Sequence, residues 1–261
     1  MHRPHYLLLL AALFACVANA SQEYRYQVLD KKPQSRDIFV QGLQIVDDKL
    51  YVSGGGYGKS RLLRYDFSSG ELELERQIDP RLWAEGLTVF NDRLYLLTWK
   101  SRNLFVYSKN ELQNIERLQI PGEGWGLTHN GQQLIYSDGS DALFYLSPSE
   151  HSITRTLRVT ENGKPLVRLN ELEWIDGSIW ANVWLTDRIV IINPENGKVE
   201  GSINLRGLLP LLERRADTDV LNGIALNPAD GGIWVTGKNW PWMYRIELVP
   251  VTAPHPVTES R

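Results

Sequence analysis

Cysteine is almost absent from this sequence, since Cys16 is the only one among 261 residues. Because Cys16 lies near the N-terminus, the rest of the chain forms no internal disulfide, and its stability has to come from its core. Histidine is scarce too: after residue 20 only His129, His151 and His255 occur, without the spacing of a zinc site. There is no Gly-x-Ser-x-Gly elbow either. These absences exclude a disulfide-stabilised fold, a histidine-built zinc site and a cysteine or elbow-serine nucleophile.

An excess of charge of one sign is also lacking, because 28 basic and 31 acidic residues leave a net charge of −3. A balance this close to neutral gives no electrostatic grip on nucleic acid or anionic lipid. The hydrophobic content of 43% and the charged content of 23% are those of an ordinary globular protein. We therefore expect no nucleic acid among its partners.

The one long apolar run, Tyr6–Val17, is too short to cross a bilayer. A basic residue precedes it and Ala18-Asn19-Ala20 follows it, which is typical of a signal peptide over residues 1–20. The pattern predicts export to the periplasm or the medium. A second interpretation stays open: Leu13-Phe14-Ala15-Cys16 resembles a lipoprotein cleavage site, at which Cys16 would be acylated and would anchor the chain to a membrane.

What the chain does contain is a repeat. Five segments combine a polar or tryptophan residue, here called the anchor, with Gly or Glu and then with Leu or Ile. The segments start 44, 40, 45 and 52 residues apart, which is the period of a four-stranded propeller blade. The five anchors are Gln41, Glu85, Trp125, Asn170 and Asn222.

After each anchor, a turn and short apolar, β-branched or aromatic runs predict further strands. The second strands are predicted to begin near Leu50, Leu94, Leu134, Ile179 and Ile233. The third strands are predicted at Leu62–Phe67, Asn103–Tyr107, Ala142–Leu146, Arg188–Ile192 and Trp242–Leu248. Fourth strands are predicted at Leu72–Ile78, Ile115–Ile120, Ile153–Val159 and Val199–Leu205.

The fifth repeat has no fourth strand of its own. The alternating segment Tyr24–Leu29 fits that place, so we expect an N-terminal strand to join the last blade and close the ring. The sequence therefore predicts an all-β fold, a five-bladed β-propeller, as a single domain over residues 21–250. Residues 207–219 are predicted to form a loop with a short helix, and residues 251–261 a disordered, proline-containing tail.

The first strand of each propeller blade lines the central channel, so equivalent positions of the repeats converge there. The position fourteen residues after the anchor, or sixteen in the last repeat, holds Gly55, Trp99, Gly139, Trp184 and Lys238. Together with the anchors these positions diversify into an acid, a base, amides and three tryptophans. A pocket requires such variety, whereas a core does not. We expect the two glycines to leave room for a ligand.

Glu85 and Lys238 are the candidates for chemistry. An exposed carboxylate and a solvated lysine are the simpler interpretations, but register with the tryptophans favours a pocket, in which burial would raise the pKa of Glu85. Asn170 has the alternative of satisfying a backbone group, and the tryptophans have the alternative of packing between blades.

Longer motifs run in order through the chain after residue 20. They are Phe39-Val40-Gln41-Gly42-Leu43, Glu85-Gly86-Leu87-Thr88, Gly122-Glu123-Gly124-Trp125-Gly126-Leu127-Thr128, Leu169-Asn170-Glu171-Leu172-Glu173, Ala181-Asn182-Val183-Trp184, Leu221-Asn222-Gly223-Ile224 and Val235-Thr236-Gly237-Lys238. With these motifs the sequence resembles the plant and bacterial type of glutaminyl-peptide cyclotransferase, a five-bladed propeller family. One departure is Tyr51-Val52-Ser53-Gly54-Gly55, where family members often carry Tyr-Glu-Ser-Thr-Gly.

The resemblance implies an aminoacyltransferase that converts an N-terminal glutaminyl residue into pyroglutamate and releases ammonia. By the same resemblance, Glu85 is the catalytic acid and base, and Asn170 and Lys238 contact the substrate amide. The expected substrate-binding residues are Phe39, Gln41, Trp99, Trp125, Trp184 and, from the anchor set, Asn222.

Two other functions stay open from the residues alone. A propeller of this kind can bind a sugar or a peptide on its tryptophans without catalysis. A calcium-dependent, lactonase-like hydrolase would need several channel carboxylates, of which the anchors supply only Glu85.

No cofactor is expected, because in the cyclisation the substrate's own amine attacks its own amide. No metal ligands are predicted, and a structural cation in the channel, such as calcium, is left open. We expect a monomer that acts on peptides or proteins with N-terminal glutamine, with membrane contact only through an acylated Cys16.

Overall fold

The computed structural model describes residues 21–252. The expected signal peptide, the alternative acylation site at Cys16, and residues 253–261 of the expected tail lie outside the described residues. Between residues 21 and 252, no helix is long and apolar enough to cross a membrane. The described chain is all-β, and its single helical element is the 3₁₀ turn Leu211–Glu213, within the loop for which the sequence predicts a short helix.

The chain begins with β1 (Gln22–Pro33) and then forms three antiparallel four-stranded sheets, one for each of the first three repeats. The first consists of β2 (Val40–Val46), β3 (Lys49–Gly54), β4 (Arg61–Asp66) and β5 (Leu72–Gln77). The second consists of β6 (Ala84–Phe90), β7 (Arg93–Thr98), β8 (Asn103–Ser108) and β9 (Asn114–Gln119). The third consists of β10 (Leu127–His129), β11 (Leu134–Ser137), β12 (Ala142–Ser147) and β13 (Ser152–Arg158). A small hairpin, β14 (Thr160–Glu161) and β15 (Lys164–Pro165), follows.

The last two repeats share one eight-stranded sheet with β1. Its other strands are β16 (Leu169–Ile175), β17 (Ser178–Val183), β18 (Arg188–Ile192), β19 (Val199–Asn204), β20 (Leu221–Asn227), β21 (Gly232–Gly237) and β22 (Trp242–Pro250). The order is β16-β17-β18-β19-β1-β22-β21-β20. Strand β1 pairs antiparallel with β22, and its first three residues pair in parallel with β19. The N-terminal strand thus occupies the place that the fifth repeat leaves vacant.

The first strands of the repeats, β2, β6, β10, β16 and β20, contact one another in a closed cycle. The glycine of the repeated motif permits this approach: a Cβ atom on Gly86 would lie 2.6 Å from the carbonyl oxygen of Trp125. A larger side chain there would force the neighbouring strands apart. The inner strands therefore form a nearly closed, barrel-like ring around a central channel.

The hydrophobic core lies between neighbouring repeats. Five clusters of buried residues each combine side chains from two repeats that are adjacent around the ring. Trp180, Trp234 and Trp240 belong to these clusters, where burial of their large apolar surface stabilises the fold. These three tryptophans are therefore core residues, and the channel end is lined by others.

Candidate active site

The pairing of the first two strands is interrupted at the anchor in four of the five repeats. There the register shifts, because the first strand contains one residue more than its partner strand between two paired positions, and this extra residue forms a bulge. Such bulges re-aim a side chain locally and are frequent next to active sites. The bulges lie between Val40 and Gly42, Ala84 and Leu87, Leu169 and Leu172, and Leu221 and Ile224.

A recurring backbone hydrogen bond closes the same end of the sheets. In four repeats the residue after the second strand donates its N–H to the carbonyl two positions before the anchor. The pairs are Gly55 to Phe39 (2.9 Å), Trp99 to Trp83 (3.1 Å), Trp184 to Arg168 (2.9 Å) and Lys238 to Val220 (2.9 Å). Three positions of each of these four repeats are thereby held side by side at the mouth of the channel: the anchor, the residue two before it and the residue after the second strand.

One cavity of about 260 Å³ opens at this end of the channel. Eight of the nine site residues predicted from the sequence line this cavity. The lining consists of Phe39, Gln41, Trp83, Glu85, Trp99, Trp125, Asn170, Trp184, Leu185, Asp219 and Lys238. This volume lies just below the usual range of about 300–1,000 Å³ for small-molecule pockets, and it suits a single amino-acid side chain and its neighbouring backbone.

Glu85 is the buried acid of the cavity, with 5% of its surface exposed. Burial raises the pKa of its carboxyl group well above the ordinary value, the charge of Lys238 opposes that rise, and Glu123 adds to it. Gln41 donates its Nε2 amide to one carboxylate oxygen, Oε1, at 2.9 Å. The other oxygen, Oε2, accepts no side-chain hydrogen bond from the described residues and is available to a ligand.

Lys238 is the buried base, with 4% of its surface exposed. Burial lowers the pKa of its ammonium group, while the carboxylates of Glu85 and Asp219 act in the opposite direction. Its Nζ atom lies 4.7 Å from the centre of the Phe39 ring, over the ring face. None of the ion pairs within residues 21–252 includes Lys238 or Glu85, so these two cavity-lining side chains form no direct ion pair.

Asn170 is 2% exposed, and its backbone and side chain face different partners. Its carbonyl oxygen accepts a hydrogen bond of 2.8 Å from the hydroxyl of Ser137, which fixes the backbone at this corner. Its side-chain Oδ1 atom has no hydrogen-bond partner in the described part of the chain. A buried amide in this state is costly unless a ligand or water completes its bonding.

Five partly exposed aromatic rings form the walls. Trp125 and Trp184 meet edge to face with ring centres 5.4 Å apart. Trp83 contacts Trp99 at 5.8 Å and Phe39 at the same centre-to-centre distance. Such edge-to-face contacts hold the rings in fixed orientations, so the cavity is preformed and largely apolar.

Asn222 does not reach this cavity. It is fully buried, and its side-chain nitrogen donates a hydrogen bond of 2.9 Å to the carbonyl oxygen of Val40. The bond ties β20 to β2, which close the ring of inner strands. The side chain of Asn222 thus holds two inner strands together, and we do not propose that it binds substrate.

The expectation that Gly55 and Gly139 leave room for a ligand is wrong. A Cβ atom on Gly139 would lie 2.6 Å from the Trp125 ring, and one on Gly55 would lie 2.9 Å from Cγ of Gln41 and would collide with Trp83. The space beside each glycine is occupied by a side chain of the pocket wall. The glycines therefore accommodate the walls of the cavity of about 260 Å³, and neither of them lines it.

Sequence reasoning missed Trp83, Leu185 and Asp219 as lining residues and Glu123 as their close neighbour. A signal for two of them was present in the repeat. Trp83 and Glu123 occupy the position two residues before their anchors, the same position that Phe39 holds in the first repeat. In the first two repeats the carbonyl of this position accepts the recurring backbone bond described above, which holds Phe39 and Trp83 at the mouth of the channel.

Two further acids, Glu171 and Glu173, lie buried in the channel away from the cavity lining. Glu171 accepts a hydrogen bond of 2.9 Å from the backbone N–H of Ile224, and Glu173 accepts one of 3.1 Å from Leu226. Both carboxyl groups thus bridge β16 to β20 across the ring. No group of three or more acidic, histidine or cysteine side chains within residues 21–252 is arranged to hold a metal ion.

Burial raises the pKa of Glu173 to about 8, against partial opposition from the N–H groups of Leu226 and Trp174. The folded chain therefore keeps a proton that the unfolded chain releases between the ordinary carboxyl pKa and about 8, so stability falls as the pH rises through this interval. We expect Glu173→Gln to flatten that dependence and to raise the free energy of unfolding by roughly 2–4 kcal/mol at alkaline pH relative to the native chain. Urea unfolding at about pH 5 and about pH 9 measures the free energy of unfolding at both ends of this interval. An unchanged difference between the two values in Glu173→Gln would contradict the prediction.

Four similarities to known proteins accompany this geometry. A family model described as glutamine cyclotransferase matches residues 6–248. The glutaminyl-peptide cyclotransferase of Arabidopsis thaliana is 36% identical over 233 residues, which are 87% of this chain and 72% of that protein. The crystal structure of Myxococcus xanthus glutaminyl cyclase superposes with a TM-score of 0.82 at 30% identity, covering 89% of this chain and 100% of that one. Hydrazine synthase of Kuenenia stuttgartiensis, 13% identical with a TM-score of 0.50 over 82% of this chain and 63% of that one, shares the fold alone.

Proposed function

The chain belongs to the glutamine cyclotransferase family, and on that premise we propose that Glu85, Lys238 and Asn170 carry out its reaction inside the aromatic cavity. The protein converts the N-terminal glutaminyl residue of a peptide or protein into pyroglutamate and releases ammonia. The α-amine of the substrate forms a bond to its own γ-amide carbonyl carbon. The carbon–nitrogen bond to the amide nitrogen then breaks, and a five-membered lactam remains.

The aromatic walls supply orientation. A glutamine side chain is flexible, and its amine and amide carbon meet only in a folded conformation. The rings of Trp99, Trp125 and Trp184 line a cavity of about 260 Å³, and in this proposal they hold the glutaminyl side chain in the folded form. Orientation of an intramolecular reaction supplies a large part of a rate enhancement, with an upper range of roughly 7–11 kcal/mol.

Glu85 moves the proton. As the amine attacks, it must lose a proton, and the departing amide nitrogen must gain one to leave as ammonia. The free oxygen of Glu85 accepts the first proton and donates it to the leaving group, so the carboxyl group ends as it began. Because burial raises the pKa of Glu85, its carboxyl group keeps a proton to higher pH than an ordinary carboxyl group does, which suits it to donate a proton to the leaving group.

Lys238 and Asn170 stabilise the oxygen of the attacked carbonyl, which gains negative charge in the tetrahedral intermediate. A buried cation and a buried amide donor act strongly on such a charge, because the surrounding side chains exclude water. The position of Lys238 over Phe39 holds the ammonium group at the cavity wall before substrate arrives.

The observation that carries this proposal is the juxtaposition of a buried acid, a buried base and a buried amide within one aromatic cavity of about 260 Å³. The test is incubation of the purified protein with a Gln-initiated peptide, followed by mass spectrometry and an ammonia assay. We expect loss of one ammonia per peptide from the glutaminyl substrate and none from the same peptide with N-terminal asparagine. A protein that binds the peptide without releasing ammonia would contradict the function.

For the architecture and the location we propose five blades and export. The closed cycle of five first strands, and the core clusters between adjacent repeats, support blades made of β2–β5, β6–β9, β10–β13, β16–β19 and β20–β22 with β1. The signal-like segment over residues 1–20 supports export to the periplasm or the medium, with anchoring through Cys16 as the alternative.

A further inference from the structure

Glu123 is an acid outside the cavity lining that contacts two of its walls. Its Oε2 atom accepts a hydrogen bond of 2.7 Å from the indole Nε1 of Trp99 and one of 3.1 Å from that of Trp125. Trp99 follows strand β7 and Trp125 precedes strand β10, so one carboxylate oxygen joins wall residues from two adjacent repeats.

The loop that carries Glu123 is itself fixed. Ile120, just before it, is buried in the core between the second and third repeats. Gly124 donates its backbone N–H to the carbonyl oxygen of Trp99 at 3.3 Å, and a Cβ atom there would press on Leu97 at 3.0 Å. The position of the carboxylate is therefore set by the backbone on both sides.

We propose that Glu123 is a positioning residue for the cyclisation, which sets the separation and orientation of the Trp99 and Trp125 rings. The inference rests on the proposed function, in which these rings fold the glutaminyl side chain. Because a charged acceptor strengthens an N–H hydrogen bond, the two indole groups are held more firmly than by packing alone. Glu123 touches neither the reacting atoms nor the substrate in this scheme and acts through the rings.

Two variants separate the geometric contribution from the charge. Glu123→Gln keeps a carbonyl oxygen that can accept both indole N–H groups, and Glu123→Ala removes the acceptor. We expect kcat/KM for a Gln-initiated peptide to fall about 10- to 100-fold in Glu123→Ala, the range typical for a misplaced positioning contact, and by less than about fivefold in Glu123→Gln. The exposed Glu111→Ala serves as the control for loss of an acid and should leave kcat/KM unchanged.

A second readout distinguishes positioning from a merely structural contribution. The charged groups that face Glu85 are Lys238 and Glu123, and its carboxylate is also bonded by the neutral Gln41. Removal of the negative charge of Glu123 lowers the pKa of Glu85, so the acidic limb of the kcat/KM profile should move to lower pH in both variants. The indole ¹H–¹⁵N signals of Trp99 and Trp125, assigned with Trp→Phe variants, should shift strongly in Glu123→Ala and less in Glu123→Gln.

Equal kcat/KM in Glu123→Ala and the native chain would overturn the proposal. So would an equal loss in both variants that follows reduced stability in urea, without a shift of the pH profile or of the two indole signals. Absence of ammonia release by the native protein would instead contradict the proposed function, and the indole signals would still test the contact.

A separate observation concerns the groove beside the cavity. A depression of about 780 Å³ shares Phe39 and Trp83 with the cavity wall and is bounded by the segment Gly55–Lys59. Tyr57 is 52% exposed there, and its ring meets Trp83 edge to face at 5.3 Å. Because Tyr57 lies between glycines, no side chain next to it in the sequence covers its ring, which lies directly outside the cavity.

The geometry points to this groove as the subsite for the second residue of the substrate, with a preference for an aromatic or large apolar side chain. The subsite rests on the proposed function, because its occupant is the residue bonded to the glutamine in the cavity. The charges around the groove, Lys59 and Arg61 against Asp37 and Asp217, balance and favour neither sign. The other depression at the cavity mouth, beside Leu185, is smaller at about 280 Å³ and mostly polar.

The test compares glutamine amide, Gln-Gly-amide and Gln-Phe-amide in the native chain and in Tyr57→Ser. We expect native kcat/KM to be highest for Gln-Phe-amide, and Tyr57→Ser to lower that value about three- to tenfold, the range of an aromatic contact, while glutamine amide is unaffected. An equal loss for all three substrates would overturn the subsite, as would a selective loss from Leu185→Ser in its place. No ammonia from any of the three in the native chain would contradict the proposed function itself.

Discussion

Glu85→Gln should reduce kcat for a Gln-initiated peptide by about 10³-fold or more while the protein stays folded. Loss of a positioned general acid–base group costs about 10²–10⁴-fold, and here one carboxyl group serves both proton transfers. Glutamine has the same shape and can still accept the hydrogen bond from Gln41. The change therefore removes the proton shuttle and leaves the cavity intact.

The controls for this prediction are internal to the chain. Because burial raises the pKa of Glu85, its charged form disfavours folding, and the neutral variant should be as stable as the native chain or more stable at alkaline pH. Glu71→Gln, at an exposed position, should retain full activity. Ammonia release within about tenfold of native by folded Glu85→Gln would remove the proposed mechanism, because water does not replace a general acid–base at that level.

Lys238→Met should lower kcat by about 10²–10³-fold, the cost of removing one group that stabilises a developing oxyanion. Methionine is apolar, unbranched and of similar length, so it fills the buried site without leaving an unpaired polar group. Loss of the positive charge should also move the pKa of Glu85 further upward, since Lys238 opposes its rise. The acidic limb of the pH profile should therefore shift to higher pH, opposite to the shift expected for the Glu123 variants.

Lys100→Met is the matched control for Lys238. Lys100 is exposed and lies 4.1 Å from the centre of the Trp99 ring, so it is a second lysine beside a pocket wall, but it does not line the cavity. It should retain kcat within about twofold, because an exposed cation is screened by water. Equal losses in the two variants would indicate a general effect of net charge and would contradict an oxyanion contact by Lys238.

The sequence predicted strands well because the repeat supplied five independent copies of one pattern. The predicted third and fourth strands agree with the observed ones to within two residues, as for Leu72–Ile78 against Leu72–Gln77. The 3₁₀ turn at Leu211–Glu213 and the N-terminal strand followed from what the repeat left unassigned. A period of 40 to 52 residues constrains topology strongly, since each strand has to occupy the same place in every copy.

The lining of the cavity was only partly predictable, because register tells which end of a strand a residue occupies and not what fills the space beside it. Gly139 shows the difference: the gap left by its missing side chain is taken by the Trp125 ring. Asn222 shares the anchor position with Glu85, yet a nearby free carbonyl, that of Val40, captures its amide. A contact within the third repeat decided the first case and a contact between the fifth and first repeats decided the second, and register alone reveals neither.

Strand β1 can complete its pairing only late in the synthesis of the chain. Its partners β19 and β22 lie more than 150 residues later in the chain, and the N–H of Val251 bonds to the carbonyl of Glu23 at 2.8 Å. Strand β1 therefore cannot complete its pairing until β22 has been synthesised, and a product truncated before β22 leaves most of β1 unpaired. The first and last described residues lie close together there, which makes this domain suitable for circular permutation, with new ends opened in a turn far from the cavity.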